Sequence, residues 1–232
     1  MRTLHRIGWL MLLVLMAGLC FGRDPGAGAT ASIEAMIAAA NQGDVDAQYN
    51  LAVRLETGDG VVSQPSEAVR WYRLAAEAGD VDAQYNLGVL TGRGYGTAQD
   101  DAAAVQWFLR AAEQGDAQAQ LVLGFRYREG VGVAADEEAA AQWFIAAAEQ
   151  NVPEAQLIVG KLHVWGIGVR QNLVTGWMWL QRAACAGELE AAEVRDRVAT
   201  VMTAGQIEKA QALVNLRVDE TNGAGLCAMS AD

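Results

Sequence analysis

Apolar residues along this chain recur at helical spacing and, on a longer scale, at a fixed stride. Between Val45 and Thr57 the positions Ala47, Leu51, Ala52 and Leu55 form one stripe of an amphipathic helix. A second apolar stretch starts near Pro65 and carries Trp71, Tyr72, Ala75 and Ala76. Between the two lies a turn marked by Gly58 and Gly60. The pair then returns 36 residues later, and the nine residues GDVDAQYNL occur identically from Gly43 and from Gly79. Trp71 leads to Trp107, Trp143 and Trp179, and Gln48 to Gln84, Gln120 and Gln156. No insertion breaks the register across four units, which is the signature of a helical repeat array.

The punctuation agrees with the pattern. Asp44, Asp80 and Asp116 precede the first helix of a unit, where a carboxylate takes up free backbone N–H groups. Pro153 falls at the first helical position of the fourth unit, where its missing N–H costs nothing. Gln64, Asp100, Asp136 and Asn172 stand at the equivalent cap of the second helix. That helix stops at Gly43, Gly79, Gly115, Asn151 and Gly187, residues that accept a left-handed backbone. Ala52, Gly88, Gly124 and Gly160 share a position that lets the two helices of a unit approach closely. The tryptophans fill the space on the second helix, and neighbouring units bury what one helix pair cannot.

The expected fold is therefore all-α, a right-handed α-solenoid of about four helix-turn-helix repeats with capping helices. Its divisions are a capping half-repeat at 32–42, repeats at 43–78, 79–114, 115–150 and 151–186, and a half-repeat with a capping helix at 187–220. Thr203 and Gln206 read as the capping box of that last helix. A flexible segment is expected at 23–31 and a loose tail at 221–232.

The N-terminus changes the picture of where the protein works. Arg2, His5 and Arg6 precede an uncharged, mostly apolar run from Ile7 to Phe21, followed by small residues. This is the layout of a secretory signal peptide over 1–22, and the run is short for a membrane span. Cleavage before Arg23 or before Thr30 both satisfy the small-residue rule. Cys20 raises a lipoprotein as the alternative, although Leu19 stands where that pattern wants a small residue. The expected location is secreted or periplasmic, with the membrane engaged only through the signal peptide or a partner.

Charge and candidate chemistry narrow the function. A net charge of -11 repels phosphate backbones, so no nucleic acid partner is expected. His163 is the only histidine beyond the N-terminal segment, too few for a zinc site or a nucleophile–base triad. The glycine pairs lead into no Gly-Lys-Ser/Thr, so they read as turns. No enzyme, metal or cofactor is expected. Cys185 has Glu77, Glu113 and Glu149 as register mates, an exposed position. With Cys227 it makes an even pair in an oxidising compartment, and a Cys185–Cys227 disulfide is expected. Closing that loop would contribute about 4 kcal/mol in the chain-entropy model.

In superhelical arrays the first helices line the concave side. In the first two units the residues off the buried stripe are Tyr49, Asn50, Val53, Tyr85, Asn86 and Val89. In the next two they are Leu121, Val122, Phe125, Leu157, Ile158 and Lys161. These twelve are the expected contacts for another protein or an extended peptide.

The order Ala-Gln-x-x-Leu-Gly, Gly-x-Gly, Trp-Tyr/Phe, Ala-Ala-x-x-Gly resembles the Sel-one-like repeat (SLR), a relative of the tetratricopeptide repeat, over Ser32 to Val201. The resemblance implies an adaptor that gathers other proteins, in signalling, quality control or bacterial envelope regulation. Glycan or peptidoglycan binding is the alternative. Some bacterial relatives with a cysteine pair in every repeat bind or slowly hydrolyse β-lactams. This chain lacks that per-repeat pair, which argues against the activity.

Overall fold

A computed structural model describes residues 33–220. The expectations for the signal peptide at 1–22, the segment at 23–31 and the tail at 221–232 lie outside the described residues. Eleven helices and no strand occur among those described. In chain order they are α1 (Ile33–Asn41), α2 (Val45–Thr57), α3 (Pro65–Glu77), α4 (Val81–Arg93), α5 (Asp101–Glu113) and α6 (Ala117–Glu129). There follow α7 (Glu137–Glu149), α8 (Pro153–Trp165), α9 (Leu173–Cys185), α10 (Leu189–Ala199) and α11 (Ala204–Glu220). The fold class is an all-α repeat solenoid.

The caps form as the sequence predicts. Asp44 accepts from the Ala47 N–H, Asp80 from Ala83 and Asp116 from Ala119. Asp100, Asp136 and Asn172 cap the second helices, whereas Gln64 makes no side-chain cap and leaves Pro65 to start α3. Asn151 has φ 64°, the one non-glycine in the left-handed region among the described residues, and it stands where the other units have glycine.

The chain forms two compact units, one through Leu87 and one from Gly88. In the first, α2 packs on α1 and α3. Tyr49 and Tyr72 meet edge to face with ring centroids 5.8 Å apart, and both are buried. In the second unit α6 packs on α5 and α7, and α8 packs on α7 and α9, so each of these first helices lies against the second helix of its own repeat and that of the repeat before it. Gly88, Gly124 and Gly160 face Phe108, Phe144 and Leu180. A Cβ on Gly124 would lie 2.5 Å from the Phe144 ring, so the close approach read from the sequence is a ring seated on a bare backbone.

Each repeat is also locked to its predecessor by a side chain. The buried Gln48, Gln84, Gln120 and Gln156 donate from Nε2 to the carbonyls of Ala40, Ala76, Ala112 and Ala148, eight residues back, at 3.0–3.2 Å. Those carbonyls belong to the ends of second helices and also accept the backbone N–H of Gly43, Gly79, Gly115 and Asn151, so the glutamine amide takes up the second lone pair of each. The recurring Ala-Gln of the sequence has this bond as its cause.

Trp71, Trp107 and Trp179 are buried, as expected, but Trp143 is half-buried. Arg70 covers the Trp71 ring, and Arg110 and Arg182 cover Trp107 and Trp179 from the next helical turn. Ala146 occupies the corresponding place after Trp143 and is too short to shield it.

The C-terminal helix does more than close the last face. Ile207 and Val214 pack into a core cluster with Trp177, Leu180 and the buried Ala210. On α9 it rests over a stripe that departs from the repeat. Met178 is 5% exposed, whereas Arg70, Gln106 and Gln142 at the same register are exposed. The outer face of α9 is apolar because α11 lies on it.

Candidate partner-binding face

The twelve expected contact residues divide by burial. In the first unit Tyr49 is core, while Asn50 and Val53 are half-buried. Tyr85 is half-buried, and Asn86 is 0% exposed with neither amide atom hydrogen-bonded. In the second unit Leu121 and Leu157 are core. Val89, Val122, Phe125, Ile158 and Lys161 remain half-buried. Tyr49, Asn86, Leu121 and Leu157 are thus corrections to the expected surface. Their positions face inward, and no partner reaches them without a rearrangement. The helical stripe read from apolar residues alone was too narrow: it left out positions that tertiary packing covers.

What remains accessible in the second unit follows two helices. On α6, Val122 and Phe125 stand one turn apart, with Arg128 a turn further. The Phe125 ring meets Phe144 edge to face at 5.1 Å, and the Arg128 guanidinium lies 4.8 Å from the Phe125 centroid. On α8, Glu154, Ile158, Lys161 and Trp165 fall at spacings of four, three and four, hence on one face. Trp165 is 57% exposed. Sequence reading passed over Trp165 because it lies outside the tryptophan register. A large apolar side chain with register mates Thr57, Arg93 and Glu129 is the signal that would have found it.

Electrostatics distinguish the same face. Lys161 pairs with Glu190 of α10. Burial pushes the Glu154 carboxyl above the usual carboxylate range, the Glu188 charge adds to this, and Arg128 opposes both.

His163 lies on the other side of α8. Burial holds its pKa below the ordinary histidine value, a hydrogen bond with the Arg170 backbone opposes this, and its Nδ1 has no partner. It borders a cavity of about 610 Å³ with Arg170, Gln171, Asn172, Leu173, Val174 and Gln206. No carboxylate, hydroxyl or thiol lines that cavity, so it assembles no nucleophile–base pair. Among the described residues no cluster of three or more His, Cys, Asp or Glu is placed to hold a metal ion, and no helix is long and apolar enough to cross a membrane. Cys185 is exposed at the end of α9, and Cys227 lies outside the described residues.

Comparison with known proteins agrees with this architecture. A family model described as Sel1 repeat matches residues 45–80, 81–116, 117–152 and 153–188. No curated protein matches the sequence. Among solved structures, the chain is similar to a protective antigen present in uropathogenic Escherichia coli strains that displays an SLR fold. That match has 31% identity and a TM-score of 0.69, and covers 89% of this chain and 47% of the antigen. It is also similar to a Sel1 repeat protein from Oxalobacter formigenes, with 36% identity, a TM-score of 0.67, and coverage of 72% of this chain and 48% of that one. The chain spans about half the length of either relative.

Proposed function

The chain belongs to the Sel1 repeat family, whose members generally mediate protein–protein interaction and are typically non-enzymatic scaffolds, and on that premise we propose that it is an exported adaptor that binds another protein or an extended peptide through its first-helix face. The observation that carries this is the accessible stripe of α8, where Ile158 and the 57% exposed Trp165 stand in line on a face flanked by charge. A large aromatic kept in water on a rigid helix is the kind of residue that anchors an interface. The absence of a nucleophile–base arrangement around His163 supports a role without chemistry of its own.

Export belongs to the same reading and rests on the charged start, apolar run and small residues of the first 22 positions. The Cys185–Cys227 bond also belongs to it, supported by the exposed position of Cys185. Intact mass before and after treatment with a thiol reductant reports that bond: a gain of two hydrogen atoms supports it, and an unchanged mass removes it.

The test of the binding face is site-specific photocrosslinking in the organism's exported fraction. A crosslinker placed at Phe125 or Ile158 is expected to trap a protein in stoichiometric yield. The same group at Gln142, on an outer face, is expected to trap nothing. Equal capture from both positions would remove the first-helix face as the binding site.

A further inference from the structure

The register of the repeats allows two neighbouring joints to be compared atom for atom. At one joint Lys161 of α8 pairs with Glu190 of α10. Stepping back 36 residues from each gives Phe125 of α6 and Glu154 of α8. The carboxylate is kept at both joints, but at the second a phenyl ring stands where the first has a lysine. Among the described residues Glu154 makes no hydrogen bond or ion pair.

The surroundings do not make good the missing cation. Glu188, which precedes α10, adds a second negative charge, and half-burial disfavours ionisation further. Arg128 acts on Glu154 from a distance, but its guanidinium lies over the Phe125 and Phe144 rings and contacts Glu129 at 3.2 Å. The result is a carboxyl one positive charge short, set beside Phe125 and Ile158 and in line with Trp165.

We propose that this face docks an extended segment in which a lysine or arginine adjoins an apolar side chain, the cation seating on Glu154, the adjoining apolar group on Phe125 and Ile158, and a residue further along the segment on Trp165, about 10 Å beyond Ile158 on α8. Two features of charge select this occupant. A cation at Glu154 relieves its repulsion with Glu188 and takes the place that Lys161 holds at the next joint. The chain's net charge of -11 draws basic segments toward it and repels acidic ones. Lys161 is already committed to Glu190 and Arg128 to Glu129, so the face holds no comparable seat for an acidic side chain. This inference rests on the reading of the first-helix face as the partner-binding surface.

The test uses the full exported chain and pools of short synthetic peptides with a fixed central residue (Lys, Gln or Glu) and randomised flanks. Retained peptides are identified by mass spectrometry, and affinities of the best binders are measured by fluorescence anisotropy. The wild-type protein is expected to prefer the lysine pool about tenfold over the glutamine pool, about 1.4 kcal/mol, with apolar residues enriched beside the lysine. Glu154→Gln is expected to reduce that preference to within about twofold while apolar enrichment persists. Ile158→Asp is expected to abolish retention of every pool. Retention that Ile158→Asp abolishes but that ignores the central charge overturns this inference and leaves the binding face intact. No retention by the wild type overturns both. A dimer of the chain itself that Ile158→Asp dissolves would assign the face to a second copy and overturn the proposal.

Discussion

Single residues in this chain carry opposite burdens at equivalent positions. Gly124 accepts the Phe144 ring on a bare backbone, whereas the same register in the first unit holds Ala52. Gly124→Ala is therefore expected to destabilise the second unit by about 1–3 kcal/mol through overpacking. A urea titration with a lowered midpoint and an unchanged slope would register it. Glu154 carries a different burden. Its carboxyl binds protons more readily in the folded chain than in the unfolded one, because burial and Glu188 outweigh Arg128. The folded state then holds more protons between the ordinary carboxylate pKa and the raised one, so this group's contribution is greatest below that window and is lost as pH rises through it. Removing the charge should leave the melting temperature at neutral pH unchanged or higher. Glu154→Gln compared with wild type by calorimetry at pH 4 and pH 7 checks this, and a lower melting temperature at pH 7 would contradict it. The peptide test with the same variant is then free of any folding defect.

Among the elements, α9 and α11 show how a departure from a repeat announces a neighbour. The stripe Val174 and Met178 on the outer face of α9 replaces Ser66 and Arg70, Ala102 and Gln106, Glu138 and Gln142. These residues are apolar where the rest of the array is solvated, and α11 packs against them. Met178→Gln, which restores the repeat residue, is expected to cost about 1.5–3 kcal/mol because it places an amide under α11. The converse change Gln142→Met, on an exposed face, should stay within about 0.5 kcal/mol. Equal effects in thermal melts would show that α11 does not shield α9. The caps and helix ends were legible in the sequence because they are local: Asp44, Asp116 and Asn151 act within a few residues of themselves. The packing of α11 was legible only in part. The capping box at Thr203 and Gln206 announces the helix, but its seat on α9 shows only when Met178 is compared with Gln142, Gln106 and Arg70, one to three repeats away.

At the scale of the whole molecule, the period gave the architecture and said little about the face that meets a partner. A strict repeat reports what is buried, since burial is what each unit must solve in the same way. Contact residues vary, and variation alone does not separate Ile158, which is accessible, from Asn86, which is not. Trp165 takes on meaning from its exposure in line with Lys161 on α8, and Glu154 from its register match to Glu190, which has a lysine partner where Glu154 has Phe125. The glutamine bonds have the opposite character, for they are the same at four successive joints, up to the one that Gln156 makes. Each donor sits in one repeat and each acceptor eight residues earlier in the one before. Copy one whole 36-residue repeat and paste it after itself, and the new seam brings its own glutamine and its own alanine carbonyl. A lineage of such chains can therefore lengthen or shorten by tandem duplication and loss without inventing a new contact, and the twin copies of GDVDAQYNL have the form that one such event would leave.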